Sequence, residues 1–155
     1  MTSIAHIAAF AAGFLLIGAL LDAGISDLRA YRIADRDWMV VVLAFIVLAA
    51  PAWPLPVIAW HVGAALTVFA VGAVLFALGV WGGGDVKLCA ALALMTGFSD
   101  LSRFVLVMAI VGGVIAAAIL LTRGRDGDRR VPYGLAIAAG GLDWIWTSLL
   151  PQTMV

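Results

Sequence analysis

Long apolar runs separated by short polar stretches dominate the chain, and these runs have the length that a bilayer requires. About 20 consecutive apolar residues form one helix that crosses a membrane. The pattern therefore predicts six membrane helices, near Ile4 to Ala23, Trp38 to Trp53, Val57 to Val80, Val86 to Phe98, Phe104 to Leu121 and Val131 to Leu150. Because the second and fourth runs are short, re-entrant or strongly kinked segments are an alternative there.

Composition supports a membrane protein built from helices. Hydrophobic residues make up 65% of the 155 residues and charged residues 12%, with a mean hydropathy of +1.16, which is too apolar for a soluble fold of this length. We expect an all-α, polytopic membrane helix bundle that forms a single domain over residues 1–155. No Lys or Arg precedes the first apolar run, so we expect a permanent helix rather than a cleaved signal.

The cations predict the orientation, since Lys and Arg near helix ends are retained in the cytoplasm. With both termini outside, eight of the nine cations fall on the cytoplasmic side of six crossings. These are Arg29, Arg32, Arg36, Lys87, Arg123, Arg125, Arg129 and Arg130, and Arg103 alone falls outside. We therefore expect a multi-pass protein of the inner (plasma) membrane.

Two acids stand at helix ends on the predicted cytoplasmic side. Asp27 closes the first helix, and Asp85 follows Gly82-Gly83-Gly84 and opens the fourth. Two carboxylates a few Å apart in a partly desolvated site cannot both ionise, so they would share one proton. The ionised member can take a proton from water while the protonated member donates to a carbonyl oxygen. Such a pair can hydrolyse a peptide bond without a metal or a covalent intermediate.

The glycines before Asp85 suit a binding site for an extended peptide. Three successive glycines permit backbone conformations with positive φ and a close approach of the substrate. The positive end of the helix dipole would favour an ionised Asp85. One cysteine, Cys89, can form neither an internal disulfide nor a four-cysteine zinc module, and His61 has no second histidine near it. We expect no metal and no cofactor.

Three segments resemble the motifs of the type IV prepilin peptidases. Gly82-Gly-Gly-Asp-Val-Lys-Leu88 resembles their GxGDxKL signature, and Asp27-Leu-Arg-Ala-Tyr-Arg-Ile33 resembles their first motif, an Asp followed by arginines and RIP. Val131-Pro-Tyr-Gly-Leu-Ala-Ile137 is similar to the PFGP segment that opens their last helix. Ala34 and Leu135 stand where the family has proline. The resemblance spans the chain, and its compact form is similar to the peptidases of tight-adherence (Flp-type) pilus systems.

The resemblance implies a membrane-embedded aspartic endopeptidase. It would remove the short, basic leader of pilin-like precursors at the cytoplasmic face, usually just after a glycine. By residue-by-residue comparison Asp27 and Asp85 would be catalytic. The residues expected to bind substrate or support the site are Gly82, Gly83, Gly84, Lys87, Arg29, Arg32 and Asp22. The expected partners are the precursor and membrane lipid, without nucleic acid, and the oligomeric state stays open.

Two other classes of function remain open at this level. In a proton-coupled transporter, Asp22, Asp27, Asp85 and Asp143 would form a relay staggered through the membrane. A structure with Asp27 and Asp85 on opposite sides of the bundle would exclude the peptidase. A non-catalytic assembly protein would tolerate the loss of both acids. For Asp22 a supporting role competes with a simple pair with Arg29, and for Lys87 contact with Asp85 or substrate competes with membrane anchoring.

Overall fold

Helices make up nearly all of the structure, a computed structural model that describes residues 3–51, 53–123 and 131–153. Within these ranges the chain forms six α-helices and one π-helical turn, and no strand, which confirms the all-α prediction. They are α1 (Ser3–Ala30), α2 (Asp35–Ala49), α3 (Leu55–Ala77), α4 (Gly83–Arg123), α5 (Tyr133–Trp144), the π-helical turn (Ile145–Leu149) and α6 (Leu150–Thr153). Arg125, Arg129 and Arg130 lie outside the described residues.

Helix α4 reverses direction at Gly97. This residue has φ 59° and ψ −175°, which a helix does not contain. The sulfur atoms of Cys89 and Met108 lie 3.6 Å apart, although 19 residues of straight helix would separate them by about 28 Å. Helix α4 is therefore two antiparallel arms, residues 83–96 and 98–123. The arms correspond to the predicted fourth and fifth helices, but the loop expected between 98 and 104 is wrong, because those residues are helical.

His61 of α3 supports the reversal. Its Nδ1 lies 2.9 Å from the carbonyl oxygen of Leu94, in the last turn of the first arm of α4. The imidazole also lies against Gly97, where a Cβ would come within 2.8 Å of the ring. Since backbone carbonyls near a break in a helix lose their helical partners, His61 has a structural role here.

Three described helices are long and apolar enough to cross a membrane: His6–Ala30, Leu55–Ala77 and the reversing Gly83–Thr122. Large apolar side chains point outward, among them Phe14 at 80% exposure and Trp146 at 74%, as expected where lipid is the solvent. The chain is an integral membrane protein. The number of crossings, six by sequence, stays a prediction.

Helix α5 packs against both α1 and α4. A Cβ on Gly141 would lie 2.8 Å from Leu20 of α1, and one on Gly140 would lie 2.9 Å from Phe104 of α4. Small residues allow this close approach of helix backbones. The interior is filled by Leu16, Leu20, Leu88, Leu92 and Ile137, all buried. As a result, the beginning of α5 lies against the last turn of α1, where Asp27 stands.

Candidate active site

Asp27 lies in the last turn of α1 with 6% of its surface exposed. Its Oδ2 accepts a hydrogen bond of 2.6 Å from the backbone N–H of Gly134, the second residue of α5. A carboxylate is well placed there, because the first N–H groups of a helix lack partners within the helix. A Cβ on Gly134 would lie 2.8 Å from the Cβ of Asp27, so only glycine permits this contact.

Asp85 lies in the first turn of α4, and its Oδ2 accepts a hydrogen bond of 3.1 Å from the N–H of Gly82. This is the return contact that an acid at the third helical position makes with the residue before the helix. A Cβ on Gly82 would lie 2.7 Å from that same Oδ2. The contact therefore requires a residue without a side chain at position 82.

The other two glycines have different surroundings. A Cβ on Gly84 would lie 3.1 Å from the Cβ of Ile33, whereas one on Gly83 would meet Phe76 at an ordinary 3.5 Å. Among the described glycines, positive φ occurs at Gly79 and Gly97 and not at positions 82–84. The expectation of positive φ is therefore wrong for this segment, while close approach explains Gly82 and Gly84.

One cavity of about 300 Å³ brings the two acids together. Its lining residues are Asp27, Tyr31, Arg32, Ile33, Gly82, Gly83, Gly84 and Asp85. The carboxylates of Asp27 and Asp85 interact electrostatically across it. A second cavity, of about 370 Å³, shares Arg32, Ile33 and Gly84 with the first and continues along the connection between α1 and α2. The two cavities adjoin at these shared residues at one end of the bundle, and together they are called the recess.

The sequence matches the Type IV leader peptidase family over residues 7–117. The chain belongs to this family. The matched range contains Asp27 and Asp85 with their motifs, and the Val131–Ile137 segment lies beyond it. No curated protein and no solved structure gave a match. Type IV leader peptidases are aspartic prepilin peptidases, so the chain is an aspartic endopeptidase and the recognition from its motifs is confirmed.

Four further residues were predicted to bind substrate or support the site: Arg29, Arg32, Asp22 and Lys87. Within the described part of the chain, Arg32 lines the recess and the other three do not. Arg29 is exposed on α1. Asp22 accepts hydrogen bonds of 2.6 and 3.0 Å from Arg36, so its partner is not Arg29. Lys87 donates to Oδ1 of Asp35 at 2.6 Å instead of contacting Asp85. Asp22 and Lys87 thus connect helices close to the recess.

Two acids of α2 near the recess, Asp35 and Asp37, were not predicted from the sequence. Asp37 is only 2% exposed and accepts a hydrogen bond of 3.2 Å from the N–H of Ala34. Burial, and to a lesser extent the neighbouring Asp22, raises the pKa of Asp37 to about 6. Lys87, by contrast, holds the pKa of Asp35 below its usual value. An acid three residues after Ala34, before an apolar run, is a helix-start signal that could have identified Asp37.

Proposed function

We propose that Asp27 and Asp85 are the catalytic pair of this type IV leader peptidase. The observation that carries the proposal is that both carboxylates line one cavity, although their residues belong to different helices. Each uses its Oδ2 to bind a backbone N–H, from Gly134 and Gly82 respectively. Within the described residues, this leaves the Oδ1 of each acid for water and substrate.

The reaction follows from one proton shared by the pair. The ionised carboxylate takes a proton from water, and the water oxygen attacks the carbonyl carbon of the scissile peptide bond. The protonated carboxyl donates its proton to the carbonyl oxygen, which forms a neutral diol. Collapse of the diol breaks the C–N bond while the carboxyl that took the proton from water donates it to the leaving nitrogen. One hydroxyl of the diol gives its proton to the other carboxylate, so a carboxylic acid forms and the pair again holds one proton.

We place the pair at the cytoplasmic face of the inner membrane. The Arg36–Asp22 and Lys87–Asp35 ion pairs lie at the end of the bundle that carries the recess. Lys and Arg near helix ends are retained in the cytoplasm, which supports this orientation. It requires six crossings with both termini outside, and residues 1–155 would then act as one peptidase domain.

The proposed substrate is an Flp-type prepilin that is itself anchored in the membrane. Its apolar helix would lie beside the bundle while its extended cleavage segment enters the recess. The wall formed by Gly82, Gly83 and Gly84 offers backbone without side chains, which suits an extended peptide. The open continuation along residues 30–35 provides room for the leader on one side of the scissile bond.

The positions of the other acids argue against a proton relay. Asp22 is paired with Arg36, and Asp143 is paired with Arg103 at 2.7 Å. Asp143 lies ten residues along α5 from Tyr133, far from the recess at the beginning of that helix. Ion-paired acids at opposite ends, with two acids in one cavity, do not make a staggered path for protons.

Co-expression of the chain with an Flp-type precursor tests the proposal. The precursor would be followed by its size on a gel for the wild type, Asp27→Asn and Asp85→Asn. Asp100→Asn is the matched control, because Asp100 lies beyond the reversal at Gly97 and accepts a hydrogen bond from Trp144, which an amide oxygen can also accept. We expect wild type and control to shorten the precursor, and both other variants to lose about 10³-fold or more in rate.

The comparison requires equal amounts of each variant in the membrane. If Asp27→Asn and Asp85→Asn process the precursor as fast as the wild type, the catalytic assignment is wrong. Equal loss in the Asp100→Asn control would mean that an Asp-to-Asn change disturbs the bundle anywhere, and the assignment would lose its support.

A further inference from the structure

Tyr31 adopts a backbone conformation that bulky residues avoid. Its φ is +50°, and among the described residues it is the only non-glycine with positive φ. It follows directly after the last residue of α1, a position where helices commonly end on a glycine in the left-handed conformation. With tyrosine, the Cβ crowds the backbone, which costs free energy. Glycine would form the same turn without that cost.

Hydrogen bonds on both sides hold Tyr31 in this conformation. Its N–H donates to the carbonyl oxygen of Asp27 at 2.9 Å. The Ser26 hydroxyl donates to the carbonyl oxygen of Arg32 at 2.8 Å, and Asp37 accepts from the N–H of Ala34. A strained residue persists when its surroundings determine its conformation in this way, and such residues concentrate at functional sites.

Tyr31, held in this strained conformation, is one of the residues that line the cavity containing Asp27 and Asp85. Of the described residues that line this cavity, Tyr31 and Ile33 carry largely apolar side chains, and the others are charged residues and glycines. Tyr31 is half-buried, and its aromatic ring is the larger of these two side chains. An aromatic ring supplies contact area with few rotatable bonds.

We infer that Tyr31 contacts the substrate and holds the scissile segment in place. The ring packs on the extended peptide and keeps its carbonyl carbon between the two carboxylates. This inference rests on the proposed function, because it assumes that Asp27 and Asp85 act on a peptide in this cavity. It adds a residue that binds substrate without taking part in proton transfer.

The test compares Tyr31→Gly, Tyr31→Asn and Tyr31→Phe in the full chain, in membranes, on an Flp-type precursor with a short basic leader. Glycine and asparagine both tolerate positive φ, and asparagine does so without extra backbone freedom. We expect both to lower kcat/KM roughly 10- to 100-fold, because the scissile bond is misplaced. We expect their thermal unfolding temperatures to equal or exceed that of the wild type, and Tyr31→Phe to cleave within a few-fold of wild type.

Three results would overturn the inference while the proposed function stands. In the first, Tyr31→Gly and Tyr31→Asn cleave like wild type although Asp27→Asn and Asp85→Asn are inactive. In the second, both variants lose activity and stability together, which assigns Tyr31 to the fold. Loss in Tyr31→Phe equal to that in Tyr31→Gly would contradict the role of the ring. If Asp27→Asn and Asp85→Asn remain active, the proposed function fails first, and this inference falls with it.

Discussion

The backbone N–H of Gly134 donates to Oδ2 of Asp27 across 2.6 Å, joining residues that are 107 positions apart in the chain. Gly134 belongs to α5, which lies beyond the range matched to the leader peptidase family. The contact nevertheless fixes the orientation of a carboxylate in the proposed catalytic pair. Helix α5 is therefore part of the site and not only a support for the bundle.

Gly134→Ala should disrupt this contact. The new Cβ would lie 2.8 Å from the Cβ of Asp27 and 3.0 Å from its Oδ2, so one helix or the carboxylate must move. We expect cleavage to fall about 100-fold and stability to fall by about 1–3 kcal/mol. Gly113→Ala is the control, because a Cβ there meets nothing within 4 Å. Normal cleavage by Gly134→Ala would show that the orientation of Asp27 is unimportant.

Alanine substitutions should separate the three glycines before Asp85. In Gly82→Ala the new Cβ would displace the Asp85 carboxylate, whose Oδ2 lies 2.7 Å away, whereas in Gly83→Ala it would make an ordinary contact with Phe76. A carboxylate can rotate at little cost, so we expect Gly82→Ala to remain stable but to cleave roughly 10- to 100-fold more slowly. Gly83→Ala should cleave within a few-fold of wild type.

Rates from single-turnover cleavage and unfolding temperatures in detergent check this pair of variants. The structural explanation fails if Gly83→Ala is as slow as Gly82→Ala. In that case backbone freedom of the segment, and not space around Asp85, would be the property that matters.

Exchanging the charges of Lys87 and Asp35 should show whether Lys87 acts through α2. The pair joins the second turn of α4 to the first turn of α2 across 2.6 Å, and both side chains are exposed. Exposed pairs contribute about 0.2–1 kcal/mol, so Lys87→Ala should slow cleavage by no more than about fivefold. The double variant Lys87→Asp with Asp35→Lys should recover part of that loss. Recovery would be absent if Lys87 binds the substrate directly.

Asp37 should make the stability of the protein depend on pH. Its pKa is raised to about 6 by burial and by Asp22, from the usual value of 3.8. The folded protein therefore binds this proton more tightly than the unfolded chain, and the resulting stability is fully present below about pH 4 and is lost as the pH rises through about 6. Asp37→Asn, which keeps an acceptor for the N–H of Ala34, should lack this loss.

The measurement for Asp37 is the difference in unfolding temperature between Asp37→Asn and wild type at several pH values. We expect this difference to become more positive between pH 4 and pH 7. A constant difference would show that Asp37 does not titrate in this range. Acids away from this site titrate alike in both proteins, so the comparison reports on Asp37 together with its neighbour Asp22, whose pKa it influences.

The sequence predicted the helical class, the two apolar runs that form the arms of α4, and the position of Asp27 and Asp85 at the same end of the bundle. It misjudged several helix ends. The polar residues at 99–103 suggested a loop, yet they are helical, because Asp100 and Arg103 have partners in Trp144 and Asp143 of α5. The first helix continues to Ala30, beyond the apolar span that ends at Ala23 and three residues past Asp27, with Asp22 bound to Arg36 and Asp27 bound to Gly134.

Hydropathy and the positions of charges act through local composition, so the sequence by itself determined a helical membrane protein with two acids at one end. Side-chain partners come from distant segments whose approach depends on packing. Only the tertiary structure therefore decided that Lys87 binds Asp35, that Gly134 holds Asp27, and that Tyr31 lines the cavity. Each of these depends on distances of a few Å between helices, and spacing along the chain does not contain them.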